Sequence, residues 1–307
     1  MLKPRPLRSG DRLAVVAPAS AFDRTEFDDG VAELKRLGFD AVFDDTVFAR
    51  CAYVAGDAAV RAEAFLRAWH DPSIAGLIAA RGGYGSVQTL SWLQADDVRA
   101  TPKPFIGYSD LTSVLTHLTI NCGLVAFHGP MLAGKLSRGD AGYDRRTLID
   151  ALTKTSPMGE LTPPGVEVLR PGTAGGPLYG GTLTQLAASL GTPYAFQPRG
   201  PYVLFLEDVS ERPYRLDRML TQLRLAGALQ AATAIIIGEM PNCDEPGGDP
   251  TARATIADLL RDFPGPVLFG FPSGHTCRPF VTLPLGVRVR VVAEAAPRLV
   301  VEEAAVA

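Results

Sequence analysis

Phe105-Ile106-Gly107-Tyr108-Ser109-Asp110-Leu111-Thr112 reads as a strand, a sharp turn and the start of a helix. Pro102 and Pro104 lead into the short apolar run Phe105-Ile106, and Leu111, Val114, Leu115 and Leu118 then recur at helical spacing. Such a turn can hold a hydroxyl out over the end of a parallel sheet, with the amides of the helix start beside it. The usual elbow pattern is G-x-S-x-G, whereas the fifth position here is Leu111. The plainer reading is that Ser109 or Asp110 only caps the helix. This window alone leaves both open.

The segments around it set the fold class. Leu13 to Ala17 is a buried strand ended by Pro18, and Asp23 caps a helix carrying Phe27, Val31, Leu34 and Leu37. Ala41 to Phe43 is a short strand, and Asp57 starts a helix with Val60, Ala64 and Phe65 inward. Ile74 to Ala80 is a third strand, and Leu124 to Phe127 a further one after the elbow. Strands that alternate with helices and read as continuous apolar runs imply a parallel sheet covered on both faces. From Thr155 to Gly181 prolines and glycines crowd together, so this stretch is the candidate linker, with room for short strands at Val166 and Val168. The division expected is an N-terminal α/β domain over 1–160 and a C-terminal domain over 175–307. The second half repeats the strand and helix texture, with strands at Tyr202–Leu206, Ala234–Gly238 and Val267–Gly270. Pro213 stands at a helix start, and a terminal hairpin closes the chain.

Composition narrows the partners. The chain has 307 residues, 47% of them apolar, and a net charge of −3 with no basic run, which argues against nucleic acid. No apolar stretch reaches the ~18 residues a membrane span needs. Ser9-Gly10-Asp11-Arg12 interrupts any signal-type core after the first residues, so a cytoplasmic protein is expected. Cys51, Cys122, Cys243 and Cys277 are far apart and read as free thiols. No His, Cys, Asp or Glu cluster has metal-ligand spacing, so neither a metal nor a cofactor is expected.

Chemistry concentrates in loops that follow strands. Arg81-Gly82-Gly83-Tyr84-Gly85-Ser86 sits at the carboxyl end of a strand, where open α/β sheets bind ligands. Paired glycines let a backbone approach a ligand and expose its amides, although a tight turn would need them too. Arg81, Gly82 and Tyr84 of that loop are the candidate substrate contacts. Ser109, Glu207 and His275 also follow strands and supply what acyl transfer needs: a hydroxyl nucleophile, an orienting carboxylate and an imidazole base. The amides of Gly83 and Asp110 are candidate oxyanion donors. Among the other histidines, His70 reads as a charge partner at a helix end and His117 as structural. His128, after a strand and before Gly129-Pro130, competes with His275 for the role of base. Asp208, next to Glu207, competes for the role of orienting carboxylate.

The motifs also carry a resemblance. Ala80-Arg81-Gly82-Gly83-Tyr84-Gly85, Gly107-Tyr108-Ser109-Asp110, Phe127-His128-Gly129-Pro130, Leu206-Glu207-Asp208 and Gly274-His275 resemble, in this order, the L,D-carboxypeptidases of the murein-recycling type. These are serine peptidases related to the microcin-immunity enzymes. Arg215 to Leu220 is similar to that family as well, and the likeness runs from about Leu13 to about Gly286. It implies a nucleophile at Ser109, an orienting carboxylate at Glu207 and a base at His275. It also implies an N-terminal parallel-sheet α/β domain, a C-terminal swivelling-type β/α domain, and a homodimer. The implied substrate is a muropeptide tetrapeptide that loses its terminal D-alanine. One departure stands out: Gly180-Gly181-Thr182-Leu183 occupies the place of the family's Gly-Gly-Asn-Leu, so the Asn contact is in doubt. Two other readings stay open. One is an amidase of the microcin-immunity kind, acting on peptidyl- or aminoacyl-nucleotides. The other is a non-catalytic module that holds a small anion in the glycine loop.

Overall fold

The computed structural model describes residues 1–307. The first half builds a sheet from β1 (Arg12–Val16), β2 (Asp40–Val42), β3 (Gly76–Ala79), β4 (Phe105–Gly107) and β5 (Ala126–His128). Its helices are α1 (Arg24–Arg36), α2 (Ala58–His70), α3 (Ala95–Ala100), α4 (Thr112–Thr116) and α5 (Arg145–Thr153). Asp23 caps α1 by accepting from the amides of Thr25 and Glu26 at 2.8 and 3.1 Å. After α4 the chain makes a π-helical turn over His117–Asn121. On α2 the inward face differs from the expected one. Val60 is exposed, and Arg61, Ala62, Phe65 and Trp69 are buried. The guanidinium of Arg61 reaches the carbonyls of Gly56 and Gly85 at 2.9 and 2.8 Å and also that of Pro18, so loop carbonyls draw a cation inward where apolar periodicity does not.

The second half adds β6 (Gly159–Leu161), β7 (Glu167–Arg170), β8 (Gly172–Thr182), β9 (Tyr202–Glu207), β10 (Ala232–Gly238) and β11 (Val267–Phe271). These are followed by β12 (Leu283–Leu285), β13 (Arg288–Ala293) and β14 (Arg298–Val301), with helices α6 (Leu183–Ser189), α7 (Pro213–Leu225) and α8 (Ala252–Leu259). Two sheets result, in the orders β12-β5-β4-β3-β1-β2 and β6-β14-β13-β8-β9-β10-β11-β7. The first is parallel from β2 to β5, and β12 joins its edge antiparallel to β5. In the second, β8 to β11 are parallel and the flanking strands antiparallel.

The stretch read as a linker is instead largely strand. β8 runs 11 residues through the middle of the second sheet, and β6 and β7 lie at its two edges. Its glycines serve close approach: a Cβ on Gly176 would lie 3.0 Å from the Tyr202 Cα, and one on Gly181 would meet the Thr112 hydroxyl at 2.6 Å. Strand β12 comes from beyond that stretch yet completes the first sheet. The halves therefore share a core. Val203, Phe205, Ile236 and Phe271 pack with Leu115 and Phe127, whereas the alternate residues Leu204, Leu206, Ile235 and Ile237 pack under Leu216, Leu220 and Leu223 of α7. The two-residue period of a strand divides them in this way. One face of the second sheet thus seals the first half and the other carries α7. No helix is long and apolar enough to cross a membrane.

Candidate active site

Ser109 stands one residue beyond β4, after Tyr108, with φ at +62°, a left-handed backbone that a non-glycine residue adopts at a cost. Neither Ser109 nor Asp110 caps the helix through its side chain. Asp110 turns inward instead. Its Oδ2 accepts from the Ser86 amide at 2.7 Å, its carbonyl from the Ser86 hydroxyl at 2.6 Å, and its Oδ1 from Gln185 Nε2 at 3.2 Å. Burial pushes the Asp110 pKa up against those bonds. The aspartate thus anchors the glycine loop to the elbow, and Arg61 anchors the same loop through the Gly85 carbonyl and Gln88. Neither tie has a signal in the sequence, where Arg61 falls in a helical pattern with nothing to mark it.

The glycine loop passes hard against the serine. A Cβ on Gly82 would lie 2.9 Å from Ser109 Cβ and 3.1 Å from its Oγ, so no larger residue fits there. Gly83 takes φ +97°, and a Cβ on it would strike the Ser20 side chain. That Ser20 hydroxyl accepts from the Tyr84 amide at 3.0 Å. The Gly83 amide donates to no protein group. The Asp110 amide opens a helical turn, where amides lack an intrahelical acceptor. Arg81 is exposed and unpaired, and the exposed Tyr84 ring meets Tyr53 edge-on with centroids 5.6 Å apart.

The second sheet brings its pair to the same place. Glu207 ends β9, fully buried. Its Oε2 accepts from both the backbone amide and Nδ1 of His275, each at 2.8 Å, and its Oε1 accepts from the Thr182 hydroxyl. Burial alone raises the Glu207 pKa, but the charge and hydrogen bond of His275, then His128 and Thr182, outweigh it and hold the carboxyl at about 2. Burial likewise lowers His275, and there too the Glu207 charge and hydrogen bond win, so its pKa is raised. Gly274, at φ +86°, makes the approach possible, since any Cβ there would collide with the Glu207 carboxylate. The Tyr108 ring, one residue before the serine, sits edge-on to His275 at 5.2 Å. With Nδ1 committed to Glu207, Nε2 is the nitrogen left for Ser109. The hydrogen bond between them is not formed in this structure; such bonds commonly close only around a substrate.

The rival residues occupy other places. His128 is fully buried, bonds Ser273 Oγ through Nδ1 at 3.0 Å, and packs against Phe205 and Phe280. Burial lowers its pKa to about 4, so it stays neutral. His117 meets the Leu93 carbonyl at 2.6 Å, and His70 pairs with Asp97 at 3.0 Å on the surface. Asp208 faces away from His275: it accepts from the amide and hydroxyl of Thr184, both at 2.8 Å, near the start of α6. Burial, with Glu207 alongside, pushes it up to about 6. Thr182, which replaces the expected Asn, contacts the carboxylate itself. No group of three or more His, Cys, Asp or Glu side chains is placed to hold a metal ion.

Family models describe both halves of the chain. The LD-carboxypeptidase N-terminal domain matches residues 13–129 and the LD-carboxypeptidase C-terminal domain matches residues 175–291. The probable murein peptide carboxypeptidase of Bacillus subtilis is 33% identical over 93% of this chain and 90% of its own. The murein tetrapeptide carboxypeptidase of Pseudomonas aeruginosa is 32% identical over 86% of this chain and 88% of its own. Among solved structures, the microcin C7 self-immunity protein MccF, an inactive mutant in the apo state, superposes with a TM-score of 0.93. It covers 100% of both chains at 26% identity.

Proposed function

Since this chain belongs to the LD-carboxypeptidase family, we propose that it releases the terminal D-alanine from murein tetrapeptides through an ester on Ser109. The chain is a carboxypeptidase by family, and the substrate and residue roles are our reading. The observation that supports it is the Glu207–His275 pair lying against the Tyr108 ring, one residue before the strained Ser109 elbow, which the Gly82 backbone in turn abuts. In this scheme His275 Nε2 takes the Ser109 hydroxyl proton as Oγ attacks the carbonyl of the diamino acid's L-centre. The oxyanion faces the amides of Gly83 and Asp110. Glu207 fixes the imidazole through Nδ1 and stabilises the imidazolium. His275 then gives its proton to the departing D-alanine amine, and water hydrolyses the ester by the same route. Arg81, Gly82 and Tyr84 contact the peptide from the glycine loop. The resemblance extends this reading to a cytoplasmic homodimer acting on recycled wall fragments.

The full-length likeness to MccF supports a second reading, an amidase acting on aminoacyl- or peptidyl-nucleotides. One experiment separates them. Defined tetrapeptides and an aminoacyl sulfamoyl adenosine are incubated with the pure protein and with Ser109→Ala, and the products are identified by mass spectrometry. We expect loss of one alanine from the tetrapeptide, with Ser109→Ala losing ~10³-fold or more in kcat while keeping its fold. Cleavage of the nucleotide conjugate alone would favour the second reading. Near-normal turnover by Ser109→Ala would remove the serine from the mechanism.

A further inference from the structure

The loop that leaves β5 carries a cation that neither the fold nor the triad scheme explains. The amides of Leu132 and Ala133 in that loop donate to the carbonyls of Ala79 and Ala80 at 3.1 and 2.9 Å, at the end of β3. Met131 lies beside Gly82, which itself abuts Ser109. Lys135 follows, half-buried, with its ammonium donating 2.5 Å to the carbonyl of Thr276, the residue after His275. No carboxylate pairs with it. The acid of that region, Glu239, is occupied by the Thr276 hydroxyl at 2.7 Å, the Cys277 amide at 2.6 Å and the Arg278 guanidinium. Arg138, one turn further on, is exposed and unpaired as well. A partly buried ammonium with one neutral acceptor is unfavourable unless something anionic completes it. Burial, reinforced by Arg138, lowers the Lys135 pKa, which shows the same imbalance.

The position suggests what completes it. In the acyl-transfer scheme, on which this inference rests, His275 protonates the leaving amine, so the leaving residue departs on the imidazole side. Its carboxylate is two bonds from that nitrogen. Arg81, by contrast, sits on the glycine loop, which the same scheme gives to the oxyanion. We infer that Lys135, supported by Arg138, receives the terminal carboxylate of the substrate's leaving residue and so restricts the site to chain ends.

The test compares a tetrapeptide ending in free D-alanine with the same peptide ending in D-alaninamide. The wild type favours the acid. Lys135→Met lowers the acid-to-amide ratio of kcat/KM by roughly 10- to 100-fold, the range for a hydrogen bond to a charged group, chiefly through KM for the acid. Lys135→Gln, which keeps a donor for the Thr276 carbonyl, also loses the preference, and Lys135→Arg keeps most of it. Equal losses on both peptides would mean that Lys135 only braces the His275 loop, and would overturn the inference. An unchanged ratio in an active Lys135→Met or Lys135→Gln protein would overturn it too, while leaving the acyl-transfer reading intact. A wild type that cleaves neither peptide would instead refute that reading, and this inference with it.

Discussion

Glu207→Gln removes one negative charge and little else. The amide oxygen can take the place of Oε2 and accept from the His275 backbone and Nδ1, as the carboxylate does at 2.8 Å in each case. The amide nitrogen then faces Thr182 Oγ1, which can turn to accept where it now donates. What disappears, in the proposed scheme, is the charge opposite the imidazolium that forms when Ser109 gives up its proton. Amide replacement of an orienting carboxylate costs up to ~10⁴-fold. The His275 backbone bond helps to hold the ring in place, so we expect kcat to fall ~10²- to 10⁴-fold, or about 3–5 kcal/mol of transition-state stabilisation.

A second readout is the acid limb of kcat/KM. The base works only when unprotonated. Burial depresses His275, but Glu207 more than offsets that, so if His275 is the base we expect the wild-type limb above the ordinary value of 6.5. In Glu207→Gln the burial remains without the counter-charge, and the limb moves to lower pH as the plateau drops. The assay is release of D-alanine from a defined tetrapeptide across pH, for the wild type, Glu207→Gln and Asp208→Asn. Asp208 bonds Thr184 and no part of His275, so Asp208→Asn should lose far less rate. An unmoved acid limb, or a crippled Asp208→Asn beside an active Glu207→Gln, would refute this reasoning.

Two further outcomes follow from the same contacts. Thr182→Val keeps the side-chain volume but removes the donor to Glu207, and should lower kcat roughly 10- to 100-fold, the range for a hydrogen bond to a charge, with Thr182→Ser restoring it; full activity in the valine variant would show the bond to be idle. Separately expressed halves, 1–160 and 170–307, should each lack turnover, because β12 and one face of the second sheet complete the first half; full turnover by either alone would contradict a site built from both.

The fold class was legible because β1, β3 and β4 are apolar runs separated by amphipathic helices, and this pattern has few solutions. The elbow was legible as a strand-to-helix turn with a serine, although its fifth residue is Leu111. Three features were hidden for different physical reasons. Glycines in β8 read as breakers because composition reports flexibility, whereas these positions are fixed by contact with Tyr202 and Thr112. Nothing in the sequence marks Arg61, because its acceptors, the carbonyls of Pro18, Gly56 and Gly85, have no side-chain signature. Thr182 reads as a lost amide, yet its hydroxyl meets a carboxylate 25 residues away in the sequence, a register that only the pairing of β8 with β9 supplies.

That register explains how chemistry divided between two sheets can be aligned. Thr112, on the helix that follows Ser109, accepts the Thr182 amide through its hydroxyl at 3.1 Å. Thr182 passes its own hydroxyl to Glu207, which holds His275 by two bonds. Gln185 adds a parallel tie from α6 to Asp110 and to Ser113 at 3.1 Å. The path from the Ser109 helix to His275 thus runs through short polar contacts set beside a shared apolar core. A rigid-body shift of one sheet would have to break several of these buried bonds together. In the proposed scheme, forming the bond between Nε2 and Ser109 Oγ therefore falls to side-chain motion within the site, where a rotamer change costs far less than moving a packed sheet.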